Sequence, residues 1–143
     1  MDMEEIERTL LLIKPDGVKR GLIGEIIRRI EQKGLKITAL KMVSVDEQTA
    51  RRLYAEHVHK QFFSSLVDYI MSGPIVATVL EGKNVVSVVR TMIGATDPSK
   101  AGKGTIRGDF ASSVTQNTVH ASDSLESAKR EISIFFDDAE FIE

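Results

Sequence analysis

The segment 117–124, N-T-V-H-A-S-D-S, surrounds a histidine with hydroxyl, amide and carboxylate side chains. An imidazole is largely neutral and nucleophilic near neutral pH, and it is stabilised as a cation once it has reacted. His120 is therefore a candidate ligand, base or nucleophile, and phosphoryl transfer is one reaction that uses such a nucleophile. When its neighbours do not support chemistry, a histidine in a polar segment is more often structural or exposed.

Three cationic side chains are candidates for binding a phosphate group. Lys14 follows an apolar segment, Arg90 falls on a predicted helix, and Arg107 lies in a glycine-rich stretch. Each of them alone indicates only a solvated surface, since about one residue in four is charged in a soluble domain. A phosphate-binding loop of the G-x-x-x-x-G-K-[ST] type is excluded because the first glycine is missing before Lys103. No dinucleotide-binding fingerprint follows the first predicted strand.

A nucleophilic imidazole needs an acceptor on its second nitrogen, which fixes the tautomer and the ring orientation. Glu131 is the acceptor that we prefer, with Ser122 as a possible bridge. The alternative is that Glu131 is a surface carboxylate paired with Lys129 or Arg130. Spacing alone leaves both interpretations open.

Aromatic and histidine residues cluster between 57 and 63. Phe62 or Phe63 could stack on a nucleobase, but composition alone favours a place in the core for both. His57 and His59 are two residues apart, which suits neither one face of a helix nor a zinc site without further ligands. We interpret both histidines as surface residues.

Length and composition predict a single domain over residues 1–143. The chain has 143 residues, of which 42% are hydrophobic, and a net charge of −2 from 19 basic and 21 acidic residues. This balance argues against nucleic acid as the primary partner. Cysteine is absent, which excludes disulfides and thiol catalysis and fits a reducing compartment. The N-terminus is acidic and no apolar run approaches the ~20 residues of a membrane span, so we expect a soluble, cytoplasmic protein.

Hydrophobic periodicity predicts alternating strands and helices, with a turn at 14–17 and a functional loop without regular structure at 97–115. The phase of the second strand slips near its middle, which predicts a bulge. Asp46 and Asn84 are predicted helix caps. The strands are predicted over 9–13, 35–42 and 75–80 and around His120, and the helices over 22–30, 46–54, 62–71, 85–93 and 124–136.

This order of elements predicts an α/β (α+β) sandwich with a four-stranded antiparallel sheet. The pattern is a ferredoxin-like βαββαβ arrangement, with an inserted helical hairpin at 46–71 and the long glycine-rich loop before the last strand. Two nearly unbroken apolar strands indicate that both faces of the sheet are covered.

Four segments together resemble the nucleoside diphosphate kinase family. They are T-L-L-L-I-K-P-D-G-V near the start, T-I-R-G-D-F in the glycine-rich loop, N-T-V-H-A-S-D-S, and L-E-S-A-K-R-E-I in the last helix. The segments occur in the family's order over nearly the whole chain. Ala121 follows the histidine where glycine is frequent, which is tolerable unless that position needs a positive φ.

The resemblance implies that His120 takes the γ-phosphoryl group of a nucleoside triphosphate, mainly ATP, and passes it to a nucleoside diphosphate in a ping-pong reaction with broad base specificity. It also implies Mg²⁺ as cofactor and a homo-oligomer, with a hexamer favoured over a tetramer or dimer. The remaining roles that it implies are Lys14 for the sugar hydroxyl and γ-phosphate, Phe62 and Leu66 for the base, Arg90, Thr96 and Arg107 for the phosphates, Asn117 for the ribose, Tyr54 beside the histidine, Ser122 and Glu131 as supports of the imidazole, and Asp123 as an indirect partner of magnesium.

Two alternatives from other classes remain. One is a non-catalytic nucleotide-binding or regulatory member of the same fold, against which the retention of every matched residue argues. The other is nucleic-acid binding through Lys100, Lys103 and Arg107, which the acidic balance of the chain makes secondary.

Overall fold

The computed structural model describes residues 6–114 and 116–142, and its framework is one antiparallel sheet of four strands. The strand order is β2-β3-β1-β4, so the first and third strands lie in the centre. This is the predicted ferredoxin-like arrangement. The strands are β1 (Ile6–Ile13), β2 (Lys36–Val43), β3 (Ile75–Lys83) and β4 (Val119–Ala121).

Seven helices in the described part of the chain cover both faces of the sheet. One core cluster lies between the sheet and α3, α4 and α7, and a second lies between the opposite face and α2, α5 and α6. Buried residues on both faces explain why β1 and β3 are almost continuously apolar. The helices are α1 (Pro15–Lys19), α2 (Ile23–Gln32), α3 (Glu47–Leu53), α4 (Phe63–Ile70), α5 (Val85–Ile93), α6 (Ile106–Phe110) and α7 (Leu125–Phe135).

Two short helices occupy segments that the sequence predicts to be irregular. Residues 14–17 do not form a simple turn, because Pro15 begins α1 at a position where its missing N–H costs nothing. Within the predicted loop, Thr105 caps α6 by accepting a hydrogen bond from the Gly108 N–H at 3.0 Å. Helices of five residues are too short to produce a visible helical period in the sequence.

The connection between β3 and α5 also differs from the prediction. Strand β3 continues through Gly82 to Lys83 rather than ending at Leu80. Asn84 does precede α5, but its φ is 52° and its side chain makes no capping hydrogen bond. Asn84 therefore contributes its tolerance of the left-handed region rather than a cap. At α3, by contrast, the Asp46 carboxylate accepts the Thr49 N–H at 2.7 Å, as predicted.

The predicted bulge in β2 is confirmed by a register shift against β3 between Ile37 and Ala39. Ile37 packs on the second core cluster and Ala39 lies in the first, although residues two apart on a regular strand share one face. The carbonyl of Thr38, between them, accepts a hydrogen bond from the Ile142 N–H at 2.8 Å. Beyond the bulge, Leu40 and Met42 are 52% and 55% exposed.

Across residues 6–114 and 116–142, none of the helices has the length and apolar character that crossing a bilayer requires.

Candidate functional site

A cleft of about 420 Å³ opens where the C-terminal end of β1, the strand β4 and the five helices α3 to α7 meet. The sequence-predicted site residues come from widely separated segments, and the structure brings them to this one cleft. Ser122 is the exception, since it lies just behind the wall and contacts Glu131. The predicted residues that line the cleft are Lys14, Tyr54, Phe62, Leu66, Arg90, Thr96, Arg107, Asn117, His120, Asp123 and Glu131.

His120 is held at one of its two ring nitrogens. Its Nε2 lies 2.7 Å from Oε1 of Glu131, and the Ser122 hydroxyl donates to the same oxygen at 3.0 Å. Glu131 is buried on α7, so its carboxylate meets the imidazole directly rather than through the serine. Because a carboxylate accepts, Nε2 carries the proton and the lone pair of the imidazole is on Nδ1.

The second oxygen of Glu131 faces a cation on the same helix. Arg130 Nη2 lies 3.4 Å from Glu131 Oε2 and 3.3 Å from Glu56 Oε1. The interpretation of Glu131 as a surface carboxylate is therefore wrong, since its side chain is buried, although the Arg130 partner that it predicted is present. Full pairing matters because a buried carboxylate without partners is costly.

Tyr54 forms the wall beside the imidazole. The Tyr54 and His120 rings meet edge to face, with centroids 6.1 Å apart and planes at 85°. Burial, followed by the nearby Glu131 carboxylate, raises the pKa of Tyr54, so its hydroxyl stays protonated and available as a donor.

Lys14 is a buried cation at the end of β1. Its Nζ donates to Oδ1 of Asn117 at 2.9 Å, and its backbone N–H donates to the Thr118 carbonyl at 2.8 Å. Burial, with repulsion from Arg107 as the next cause, lowers the pKa of Lys14 to about 8, while the Asp16 carboxylate opposes the change. The amine is therefore still mainly charged at neutral pH, in surroundings that favour the arrival of an anion.

Arg107 is the most enclosed of the arginines around the cleft, at 4% exposed. Its guanidinium donates to the Gly94 carbonyl at 3.1 Å and to the Val119 carbonyl at 2.9 Å, next to His120. Burial, followed by repulsion from Arg90, lowers the pKa of Arg107 to about 10. Two arginines and a lysine thus converge on one cleft, and a bound polyphosphate would offset their mutual repulsion.

The loop that carries Arg107 is fastened to the second helix. The Asp109 carboxylate accepts the Gly104 N–H at 3.0 Å and pairs with Arg29 Nη2 at 2.8 Å. These two contacts, the backbone one first, lower the pKa of Asp109. Gly108 allows the loop to fold tightly, because a Cβ there would collide with the Gly102 carbonyl. The loop is therefore a fixed support for Arg107.

A tight turn at Thr118 joins Asn117, which contacts Lys14, to strand β4, which carries His120. The Val119 N–H donates to the Asn117 carbonyl at 2.8 Å, and Thr118 between them has a φ of +75°. A β-branched residue rarely adopts this conformation, which costs roughly 1–2 kcal/mol. The turn persists because contacts around it fix Thr118, and its strain lies directly beside His120. Ala121 shows no positive φ, so its methyl group is accommodated.

The outer end of the cleft is aromatic and apolar. Phe62 is 49% exposed at the start of α4, whereas its neighbour Phe63 is buried in the first core cluster. Leu66 lies one turn further along the helix, and Val114 lines the cleft as well. An exposed ring beside aliphatic walls is suited to stacking on a planar ligand.

Several residues that line the cleft were missed by sequence reasoning. His57 was interpreted as a surface residue, yet its ring lies 6.4 Å from Tyr54 and 5.7 Å from Phe62 between centroids. Burial lowers the pKa of His57, with repulsion from Lys60 as the next cause. The three-residue spacing from Tyr54 is a signal that could have found it, since residues three apart neighbour each other on a helical turn. Glu56, Val114 and Arg130 gave no comparable signal.

The charges around the cleft suit a ligand that brings its own metal. In the described part of the chain, no group of three or more His, Cys, Asp or Glu side chains could hold an ion. Asp123 is an exposed carboxylate that lines the cleft, and its hydrogen bond with Ser127 is the main cause that lowers its pKa. An ionised Asp123 fits a magnesium ion held by phosphates and water, since Mg²⁺ keeps several of its waters.

Comparison with known proteins agrees with this geometry. The family model described as nucleoside diphosphate kinase matches residues 7–141. The nucleoside diphosphate kinase of Archaeoglobus fulgidus is 60% identical over 96% of this chain and 91% of its own length, and that of Sulfurisphaera tokodaii is 61% identical over 96% and 93%.

Solved structures give the same result. The Aquifex aeolicus nucleoside diphosphate kinase superposes with a TM-score of 0.94 at 40% identity, covering 96% of this chain and all of that one. The Halobacterium salinarum enzyme, solved in complex with CDP, gives a TM-score of 0.94 at 47% identity over 97% and 93%. A histidine in a cationic cleft is suited to phosphoryl transfer, which is the activity of a phosphotransferase. The family model and the relatives at 60–61% identity show that the chain belongs to the nucleoside diphosphate kinase family.

Proposed function

We propose that this chain is a nucleoside diphosphate kinase, which transfers the γ-phosphoryl group of a nucleoside triphosphate, mainly ATP, to a nucleoside diphosphate. The single observation that carries the proposal is the hydrogen bond of 2.7 Å between His120 Nε2 and Glu131 Oε1. It lies within a cleft lined by Lys14, Arg90 and Arg107. It combines an oriented nucleophile with the cations that phosphoryl transfer requires.

The reaction proceeds in two steps. In the first, the lone pair on His120 Nδ1 attacks the γ-phosphorus, the bond to the β–γ bridging oxygen breaks, and the nucleoside diphosphate leaves with that electron pair. In the second, a terminal oxygen of another nucleoside diphosphate attacks the same phosphorus and His120 leaves as the neutral imidazole. In both steps Glu131 accepts the hydrogen bond from Nε2–H and stabilises the positive charge that the ring gains.

The size of the cleft supports this ping-pong order. Its volume of about 420 Å³ lies near the lower end of the ~300–1,000 Å³ range of small-molecule sites, which suits one nucleotide at a time. The nucleoside triphosphate that donates the phosphoryl group and the nucleoside diphosphate that accepts it then bind in turn. Between the two steps the phosphoryl group stays on His120.

Each part of the nucleotide has proposed contacts in the cleft. Arg90, Thr96 and Arg107 bind the phosphates, and Lys14 lies where it can reach both the γ-phosphate and a sugar hydroxyl. Asn117, which accepts a hydrogen bond from Lys14 at 2.9 Å, forms a hydrogen bond with the ribose. Phe62 and Leu66 hold the base by stacking and apolar contact. Because such a site needs no hydrogen bonds to the edges of the base, it accepts any base.

Magnesium enters this proposal with the nucleotide. The ion would supply positive charge to the phosphates, and Asp123 would hold it through water. The chain supplies the cationic groups around those phosphates, and Tyr54, Ser122 and Glu131 keep the imidazole in place.

Three wider features complete the proposal. Residues 1–143 form one catalytic domain, which the match over 7–141 supports. The domain assembles into a homohexamer, for which exposed Leu40 and Met42 on β2 offer contact surface, and the mass in solution is the relevant measurement. The cytoplasm, where nucleoside triphosphates are maintained, is the proposed location.

The experiment that tests the function follows a labelled phosphoryl group. With Mg²⁺ and γ-labelled ATP alone, the protein is expected to take up about one label per chain, and added GDP should remove it as labelled GTP. UDP and CDP should remove the label as well, because stacking does not distinguish bases. Protein that binds ATP but takes up no label would instead be a non-catalytic member of the family.

Glu131→Gln tests whether this carboxylate supports the nucleophile. We expect kcat to fall ~10–100-fold with little change in nucleotide affinity, because the amide offers no negative charge to the imidazole that becomes cationic. Single-turnover phosphorylation and equilibrium binding of ADP separate the two effects. Glu126→Gln, an exposed change of the same kind on α7, is the matched control. Reduced stability with a normal kcat per folded chain would show that Glu131 serves only the fold.

A further inference from the structure

Asp16 is a buried carboxylate that has no role in the reaction described above. It lies on α1, is 7% exposed, and accepts a hydrogen bond from the Tyr69 hydroxyl at 2.6 Å. Its backbone N–H donates to the same hydroxyl oxygen at 2.7 Å. Asp16 and Tyr69 thus hold each other through two bonds, although 53 residues separate them in the sequence. Burial, followed by Asp16, raises the pKa of Tyr69, so the hydroxyl remains a donor.

The first functional neighbour of Asp16 is Lys14. Burial, and then Arg107, lower the pKa of the Lys14 amine, whereas the Asp16 carboxylate raises it. In the described part of the chain, the groups that face the amine include Asp16 on α1, Tyr69 on α4 with its ring centroid 5.6 Å from Nζ, Arg107 on α6, and the neutral Asn117. The negative charge that favours a protonated Lys14 is therefore held in place by Tyr69.

The second functional neighbour is the strained turn before His120. The Thr118 hydroxyl donates to Oδ2 of Asp16 at 3.2 Å, while the Thr118 carbonyl accepts the Lys14 N–H. Asp16 thus uses one oxygen for Tyr69 and the other for the residue whose φ is +75°. A Cβ on Gly17 would crowd the Thr118 carbonyl at 3.1 Å, so α1 packs closely against the turn.

We propose that Asp16, clamped by Tyr69, is a positioning residue for phosphoryl transfer, which holds the Thr118 turn that presents Asn117 and His120 to the nucleotide and, through Tyr69, places its carboxylate on the Lys14 side of the cleft. The proposal rests on the proposed function, because it assigns a support to residues of that site. A buried carboxylate that holds the backbone beside a nucleophile helps to fix the geometry on which phosphoryl transfer depends. The position of Asp16 between the lysine and the turn couples the phosphate end of the site to its nucleophile.

Asp16→Asn removes the charge and keeps the shape of the side chain. The measurement is kcat/KM for Mg–ATP with GDP as acceptor between pH 6 and pH 9.5. Lys14 is charged below its pKa of about 8, so activity that depends on this charge is lost as the pH rises through that value. Without Asp16 the loss should begin ~1 pH unit lower, which gives a ~5-fold decrease relative to the wild type at pH 8, approaching ~10-fold at pH 9.5, and almost none at pH 6.

Tyr69→Phe isolates the clamp, because it keeps the ring and the Asp16 charge but removes both hydrogen bonds of the hydroxyl. We expect kcat to fall ~3–10-fold while the alkaline limb of the profile stays at its wild-type position. Asp68→Asn, an exposed change on the same helix, is the control for loss of one negative charge and should match the wild type.

The outcomes separate this proposal from the proposed function. Wild-type protein without exchange activity would overturn the function itself. Active wild-type protein together with a folded Asp16→Asn variant of unchanged pH profile would overturn only the role of Asp16, even if the melting temperature fell. If Asp16→Asn does not fold, Tyr69→Phe decides, and a wild-type kcat in that variant overturns the proposal.

Discussion

Replacing His120 with alanine is expected to abolish phosphoryl exchange, with a decrease in kcat/KM of at least ~10⁵-fold. The cleft then keeps its cations but has no atom that can carry the phosphoryl group between two nucleotides. The fold should remain, since Ser122 and Arg130 still pair with the buried Glu131 carboxylate. Nucleotide binding should therefore persist while turnover is lost.

The measurement is label uptake from γ-labelled ATP, together with the chemical stability of the bound label. A phosphohistidine loses its label in acid and keeps it in base, which distinguishes it from a phosphoserine at Ser122 or Ser124. His59→Ala is the matched control, because His59 is exposed and does not line the cleft. Unchanged acid-labile uptake in His120→Ala would place the nucleophile elsewhere.

Replacing Arg107 with methionine is expected to lower kcat/KM by ~10³-fold, within the range seen for arginines that stabilise transferring phosphoryl groups. The residue acts in two ways, since its guanidinium faces the cleft and also donates to the Val119 carbonyl beside His120. Methionine fills similar space but supplies neither the charge nor the donors. The variant should therefore lose the phosphate contact, and β4 should be held less firmly in its position.

Calorimetric binding of ADP and single-turnover phosphorylation separate these two contributions. Lost affinity reports the phosphate contact, and slower phosphorylation at saturating ATP reports the misplaced histidine. Lys103→Met is the matched control, because Lys103 is exposed on the same loop. Activity of Arg107→Met within ~3-fold of the wild type would refute the proposed role of this arginine.

The sequence could predict the fold because its main elements are long enough to show their periods. The apolar residues of α2 recur at helical spacing, and β1 and β3 are continuous apolar runs. Even the bulge in β2 was visible as a slip of phase. Helices α1 and α6 could not be predicted in this way, because a segment of five residues completes little more than one turn.

Most of the residues that line the candidate site could be predicted from the sequence, but the contacts between them could not. His120 and the cations stand in motifs that the chain displays in order, so a family resemblance transfers them residue by residue. Contacts such as that between Asp16 and Tyr69 join distant segments, and no local pattern encodes them. The positive φ of Thr118 was equally hidden, since threonine normally avoids that region.

The bulge in β2 has a consequence for how the molecule avoids forming aggregates. An outer strand presents unpaired backbone groups that a second chain can extend into a growing sheet. Here the extra residue breaks the regular spacing of those groups, and the Thr38 carbonyl is already used by Ile142. Lys36 and Lys41 add charge along the same strand. The bulged part of this edge is therefore a poor template for strand-to-strand growth.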